Sequence, residues 1–282
     1  MATVTSVTAI SRFNNTAKVS WSVSRNLTGV PTRRYSIKTL DENKAATNIP
    51  DIALDAPANI AVVQGLVGNN TYIFSVEMIN TLGTNSAPVY SNPVTITPTS
   101  VVATFDNTAS YPAGKAQATI TWAPLGNYTV INTAAPHVSI PVINNNTCVI
   151  TNLTGGVDCT FKVSDNYRTS KYAQLTSNSI SVTTVPYSPI NINSDVSGTS
   201  VTITFKNIGN GGSPITEYAL YYDTTLFDAL TYSTLTPRTS ITESFTLDNL
   251  QIGKYHYIVV AKNAKGNSIA NGFPTVKKFT IR

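Results

Sequence analysis

The chain has little charge. Lys, Arg, Asp and Glu make up 12% of its 282 residues, whereas about a quarter is usual, and hydrophobic residues make up 41%. This balance excludes an intrinsically disordered chain. The basic residues are also scattered, with Arg33-Arg34 and Lys277-Lys278 as the only adjacent pairs. A nucleic-acid interface needs clustered positive charge, so the sequence predicts no nucleic-acid partner.

Cysteines and long apolar runs are scarce too. The two cysteines exclude a disulfide framework. No apolar run approaches the roughly 18 residues of a membrane span, so no membrane insertion is expected. The first ten residues, MATVTSVTAI, lack the basic start and apolar centre of a signal peptide. We therefore expect either synthesis in the cytosol or a leader that was removed and replaced by Met.

The residue types that carry chemistry are few and isolated. The two histidines, His137 and His256, lie in different parts of the chain, and neither has an acidic partner at a catalytic spacing. The adjacent acidic pair Asp41-Glu42 does not belong to a calcium-loop pattern. The sequence therefore predicts no enzyme, no catalytic, cofactor-binding or metal site, and no bound cofactor.

Short alternating runs take the place of helical patterns. Each run has four to seven residues and is bounded by Gly, Pro, Asn or Asp, which predicts an all-β sandwich or barrel. The runs are KVSWSV, YIFSVEM, ATITWA, CTFKVS, VTITF, YALYY and YHYIVVA.

One pattern occurs three times. In its first copy, an apolar strand ends near Leu66 and a second strand opens at Tyr72, after a tight polar turn. An aromatic residue lies on a strand roughly 45 residues earlier, and the copies are about 90 residues long. The three sets are Trp21, Leu66 and Tyr72; Trp122, Leu153 and Cys159; and Phe205, Leu250 and Tyr255. Pro-containing segments separate the copies and predict domains at residues 1–98, 99–186 and 187–282.

Each copy resembles a fibronectin type III domain. The third is the most similar, because TITFKNIGNGGSPITEYALYY has an aromatic strand B, a Gly-rich BC loop at 209–212 and a Pro-Ile-x-x-Tyr opening of strand C. The first has Trp21, Tyr35 and the complete Leu-to-Tyr corner. The resemblance covers essentially the whole chain. It implies three consecutive immunoglobulin-like antiparallel sandwiches, with sheet A-B-E facing sheet C-C′-F-G, and binding rather than catalysis.

The fold implies a structural core. The aromatic residues of strand B and the corner residues are expected to be buried, and the corner Tyr hydroxyl is expected to bond to the backbone of the EF turn. The predicted core residues are Trp21, Leu66, Tyr72, Trp122, Leu153, Cys159, Phe205, Leu250 and Tyr255.

The middle copy departs from this pattern. Cys159 replaces the corner Tyr, and GNYTVINTAAPHVSIPVINNN lacks a clear strand-C signature, which leaves its strands C and C′ open. Cys148 and Cys159 are expected at opposite ends of neighbouring strands, about 16 Å apart. A disulfide needs Cα atoms within about 7 Å, so we predict two buried free thiols and no disulfide.

The sequence leaves the partner open. Six N-x-S/T sequons are about as many as chance gives, and Arg-Gly-Asp and WSxWS motifs are absent. The Thr/Asn-rich, charge-poor surface favours polar contacts with protein partners, as in a spacer or a subunit of a larger assembly. A virion or minor capsid component made in the cytosol fits this description. The alternatives are an adhesion or carbohydrate-binding module of a secreted or cell-surface protein, with a glycan ligand, and a cytosolic scaffold.

Two features bear on where a partner could bind. On strand C the side chains of Tyr218 and Tyr222 are expected to point into the sandwich, which favours core roles for both. Tyr221 is then expected to point outward. Lys277-Lys278 lies in the last strand, where charge protects a sheet edge. The middle domain has the weakest edge protection and is the predicted partner interface.

Overall fold

A computed structural model of the chain describes residues 3–24, 31–135, 139–165 and 174–282. Within these residues the regular secondary structure is antiparallel β-strand, apart from two short 3₁₀ turns at Tyr232–Thr234 and Ser268–Asn271. The strands form three successive sandwiches. This confirms the predicted all-β class of fibronectin type III-like sandwiches.

The first sandwich has eight strands. They are β1 (Val4–Arg12), β2 (Thr16–Val23), β3 (Thr32–Asp41), β4 (Ile52–Asp55), β5 (Ile60–Val63), β6 (Thr71–Asn80), β7 (Val89–Tyr90) and β8 (Val94–Thr95). One sheet has the order β1-β2-β5. The other has the order β4-β3-β6, and β7 and β8 both pair with β6.

The core of the first sandwich is formed by every second residue of its strands. Alternate residues of β6 face inward because successive side chains of a strand point to opposite faces. Tyr72, Phe74, Val76 and Met78 are buried there and pack with apolar residues of the facing sheet, Trp21 among them.

The second sandwich is built on one long hairpin. Its strands are β9 (Ser100–Phe105), β10 (Ala116–Asn132), β11 (Ser139–Leu153), β12 (Asp158–Cys159), β13 (Phe161–Asp165), β14 (Gln174–Thr176) and β15 (Ile180–Ser181). β10 pairs with β9 along its first half and with β13 along its second half, and β11 follows β10 on its other side.

This hairpin contains strands C and C′ of the second sandwich, which the sequence did not define. Strand C is the second half of β10, from Tyr128 to Asn132, and strand C′ is the first half of β11. Between Thr121 and Gly126 the partner residue moves only from Thr147 to Asn145, so the extra residues of β10 bulge. Bulges bend a strand. The bend lets β10 leave one sheet and enter the other without a separate BC loop.

The third sandwich has eight strands. They are β16 (Ile190–Ser197), β17 (Ser200–Lys206), β18 (Ile215–Asp223), β19 (Arg238–Ser240), β20 (Ser244–Leu247), β21 (Gly253–Asn263), β22 (Gly266–Asn267) and β23 (Lys277–Ile281). One sheet has the order β16-β17-β20. The other has the order β19-β18-β21-β22, and β23 also pairs with β21.

A second apolar cluster covers the outer face of this last sheet. Phe227, from the segment between β18 and β19, is buried there against Ile258 and Val260. Tyr221 points to this outer side, as its position in the strand predicts, and packs edge-on against Tyr232 at 5.2 Å between ring centroids. The segment between β18 and β19 therefore covers the outer face of β18 and β21.

Candidate interaction surfaces and sandwich joints

The corner tyrosines of the first and third sandwiches bond to the turn that precedes them. The Val67 N–H donates to the Tyr72 hydroxyl at 3.1 Å, and the Tyr255 hydroxyl donates to the Gln251 carbonyl at 3.1 Å. Both tyrosines are buried. Each hydroxyl therefore ties strand F to the EF turn.

The remaining predicted core residues differ in burial. Leu66, Leu153 and Cys159 are buried, whereas Leu250 is only partly buried and packs at the margin of the third core. The strand-B aromatic residues Trp21, Trp122 and Phe205 are buried as well.

An aromatic pair joins the two sheets of every sandwich. In each, the strand-B ring packs on a tyrosine of strand C. The pairs are Trp21–Tyr35 at 5.1 Å, Trp122–Tyr128 at 5.8 Å and Phe205–Tyr218 at 4.9 Å between centroids. The sequence did not predict Tyr128 as the strand-C partner of Trp122, because the two residues lie only six positions apart on the continuous strand β10. The alternating run around Tyr128 was the available signal.

The two cysteines belong to different strand pairs. Cys148 lies opposite Ile120 on β10, and Cys159 lies opposite Ile180 on β15. Both are buried free thiols. Burial raises the pKa of each thiol, and the nearby Asp158 charge raises the pKa of Cys159 further. They act as small apolar core residues.

A Ser-Asn pair fastens strand A in the first two sandwiches. The Asn92 side chain accepts from the Ala9 N–H at 3.0 Å and donates to the Ala9 carbonyl at 3.1 Å. Asn178 binds Ala103 in the same way, at 2.8 and 3.0 Å. The serine before each Asn accepts the N–H of a strand-F phenylalanine at 3.0 Å. Sequence analysis missed these clamps, although YSNP and TSNS repeat the signal.

The chemistry-bearing residues remain apart. His256 is half-buried on β21 between Tyr255 and Tyr257. His137 lies outside the described residues. Among the residues that are described, no group of three His, Cys, Asp or Glu side chains is placed to hold a metal ion. None of the helices in the described part has the length and apolar character of a membrane span.

The first joint inserts a ring of the first sandwich into the second. Phe13 follows β1, is 3% exposed and belongs to the core cluster of the second sandwich. It stacks on Tyr128 with ring centroids 4.5 Å apart, and the Arg12 guanidinium lies 5.7 Å from the centroid of the same ring. The Asn14 N–H also donates to the Thr99 hydroxyl at 2.9 Å. The second core is therefore completed by its neighbour.

The second joint brings two glycine turns into contact. Gly155, in the EF turn of the second sandwich, lies against Gly211 of the third, in the BC loop predicted from the sequence. A Cβ at Gly155 would overlap the Gly211 carbonyl, and one at Gly211 would overlap the Thr184 carbonyl. Gly211 also has φ +69°. The Gly-rich loop thus serves close backbone approach.

Buried hydrogen bonds hold this second joint. The Thr184 N–H donates to the Gly211 carbonyl at 2.7 Å. The Asn263 amide donates to the Thr184 carbonyl at 2.9 Å and to the Asn210 carbonyl at 2.8 Å. Thr184 and Asn263 are buried. Lys265 adds a bond to the Asn107 carbonyl. The connecting segment is thus bonded to the loops of the third sandwich.

An open groove of about 710 Å³ lies at one end of the first sandwich. It is formed by the segment after β3 and the EF turn, and amide and carboxylate side chains line much of it. They are Asp41, Glu42, Asn43, Asn48, Asn69 and Asn70. Asp41 already accepts the N–H groups of Asn43 and Ala45. The groove therefore presents mainly hydrogen-bonding groups.

Comparison with protein families gives one match. The fibronectin type III domain model matches residues 187–277. A comparison with curated proteins gives no match. Among the solved structures that match is the chicken CNTN1 FN1–FN3 domains, at 16% identity over 100% of both chains, with a TM-score of 0.30. At that identity and TM-score, the likeness carries no argument about function.

Proposed function

We propose that this chain, a tandem fibronectin type III protein, is a non-enzymatic structural protein that holds partners at a fixed separation. Fibronectin type III domains are structural and protein-interaction modules. The chain would act as a spacer or as a subunit of a larger assembly, such as a virus particle assembled in the cytosol. The single observation that carries this proposal is the bonded joint between the second and third sandwiches.

A spacer must resist bending where its domains meet. Flexible linkers allow relative motion of domains, whereas buried contacts restrict it. The segment around Thr184 is buried, and its N–H and carbonyl groups bond to Gly211 and Asn263 of the next sandwich. Bending at this joint would expose backbone groups and break these bonds, which costs free energy. The Phe13–Tyr128 stack restrains the first joint in a similar way.

The proposal also states that the protein has no enzymatic activity and that it acts within an assembled particle. Fibronectin type III domains typically support binding, and function on such a fold depends on surface sites. The partners would be neighbouring protein subunits. A secreted or cell-surface location is the alternative to a particle.

The test is the shape of the full chain in solution. Small-angle scattering with light scattering on the purified protein, extrapolated to low protein concentration, should give an elongated monomer with a single maximum dimension. Spin labels on the second and third sandwiches should give a single narrow distance distribution. A broad distribution between those two sandwiches would contradict the spacer proposal.

The groove of the first sandwich favours a second candidate function. Asn and Asp side chains are suited to bind sugar hydroxyls, so an adhesion or carbohydrate-binding role would use this groove. A glycan array followed by titration of any hit tests this candidate. Binding should be lost in Asn48→Ala/Asn70→Ala and kept in Asn193→Ala, a change in the third sandwich. Absence of any hit would remove this candidate.

A further inference from the structure

β11 is an unusually long edge strand. It has 15 residues, and among the strands that the structure describes only β10 pairs with it. Its other side presents backbone N–H and carbonyl groups that can pair with another strand. The sequence from Ser139 to Leu153, SIPVINNNTCVITNL, contains no Asp, Glu, Lys or Arg. Charge therefore does not protect this edge.

The other described edges are protected. β4, β5, β14, β19 and β20 have three or four residues each. Asn92 and Asn178 each cap one residue on the outer side of an edge strand, Ala9 of β1 and Ala103 of β9. β16 and β23 carry charges, namely Asp195 and the pair Lys277-Lys278. Short strands, side-chain caps and charges all hinder edge pairing. β11 has none of these three protections, and its one proline, Pro141, lies in its first half.

We propose that two copies of this chain pair through β11, antiparallel and about a twofold axis. The proposal rests on the proposed function, because it identifies the neighbouring subunit as a second copy. Self-pairing brings identical residues together, and an uncharged strand can do so without like-charge repulsion. Among the described strands of each chain β11 is the one such edge, so the pairing closes at a dimer and does not extend into a fibre.

The second half of β11 is the most suitable contact region. Its side chains alternate regularly, with Cys148 and Ile150 buried and Thr147, Val149 and Thr151 exposed. Val149 is 50% exposed. β-branched residues on the outer face pack well against the same residues of a paired strand. A strand-edge contact buries less area than a standard interface, so the dimer is weak.

The test places charge on this face. Sedimentation and light scattering of the full chain, at protein concentrations up to about 1 mM, should show a concentration-dependent dimer. Thr147→Lys/Val149→Lys should raise the dimer dissociation constant at least about tenfold, because four positive charges would meet at the contact. The matched control is Ser100→Lys/Val102→Lys, on β9 of the same sandwich. Both of its positions are exposed, and it should leave the dimer unchanged.

Mixing variants of opposite charge distinguishes a loss of strand pairing from misfolding of the variant. Mixing the double-Lys variant with Thr147→Glu/Val149→Glu should restore the dimer, because opposite charges then face each other. A wild-type chain that stays monomeric would overturn the proposal and leave the spacer function intact. A dimer that both double-Lys variants weaken equally, with no rescue, would also overturn it. A dimer formed by a chain with a flexible second joint would instead contradict the proposed spacer.

Discussion

At the scale of single residues, the corner tyrosine offers a direct test of a buried hydrogen bond. Tyr72→Phe removes the acceptor of the Val67 N–H and leaves the ring in place. We expect the free energy of unfolding of the first sandwich to fall by about 1 kcal/mol. Urea unfolding followed by Trp21 fluorescence, in a Trp122→Phe background, measures this change.

The matched control is Tyr90→Phe, because Tyr90 lies in the same sandwich and is 41% exposed. It should change stability by less than half of the Tyr72→Phe effect. Equal effects of the two substitutions would contradict a stabilising role for the corner bond.

The buried thiols predict a dependence of stability on pH. Burial raises the pKa of Cys148 and Cys159 in the folded chain. An unfolded thiol ionises near about pH 8.5, so above that pH the unfolded state has lost protons that the folded state keeps. The contribution of the thiols to the free energy of unfolding is therefore complete at neutral pH. It is lost as the pH rises from the pKa of the unfolded thiols through that of the folded thiols.

Unfolding of the second sandwich, followed by Trp122 fluorescence at about pH 7 and about pH 9.5, tests this prediction. Cys148→Ala/Cys159→Ala should show a smaller loss of stability over the same range. An identical loss in this variant would assign the pH dependence to other groups.

At the scale of strands, the Asn178 clamp is expected to stabilise the second sandwich. Asn178→Ala leaves the N–H and carbonyl of Ala103 without their side-chain partner. The expected cost is about 1 to 2 kcal/mol of unfolding free energy. Urea unfolding of the variant should show this cost, whereas Asn146→Ala, at an exposed position of β11, should have little effect. No difference between the two variants would contradict the clamp.

Local patterns predicted the strands well and their long-range contacts poorly. Alternation and the Leu-to-Tyr corner indicated strands B, E and F, because side-chain period and turn residues are local properties. Strand C of the second sandwich escaped prediction, since it lacks the strand-C signature and β10 continues into it through a bulge. The clamp escaped because Asn178 and Ala103 are 75 residues apart. The repeated Ser-Asn pair in YSNP and TSNS marks the clamp residues but does not indicate which strand they bind.

At the scale of the whole molecule, one sandwich is expected to depend on its neighbour. Phe13 is buried in the core cluster of the second sandwich and stacks on Tyr128. Phe13→Ala should therefore destabilise the second sandwich by about 3 kcal/mol, through lost apolar burial and a cavity. In a Trp21→Phe background, Trp122 fluorescence reports this loss. Ile10→Ala, at an exposed position of β1, is the control, and an equal effect of the two substitutions would contradict this dependence.

The joints show the limit of sequence reasoning at this scale. Pro-containing segments predicted domain boundaries at residues 98 and 186, and these boundaries stay predictions. The role of the glycines could not be predicted, because Gly155 and Gly211 meet only in the folded chain. A Gly-rich run indicates a loop but does not indicate what approaches it.

Gly211→Ala should loosen the second joint without unfolding the third sandwich. The new Cβ would overlap the Thr184 carbonyl, so the turn must move away from the linker and lose the Thr184–Gly211 bond. Gly198→Ala controls for backbone strain, since Gly198 also has a positive φ but has no atom within 4 Å of an added Cβ. Distances between spin labels on the second and third sandwiches should broaden for Gly211→Ala only. Equal broadening in both variants would indicate that backbone strain alone loosens the joint. Narrow distributions in both would show that the glycine contact does not hold it.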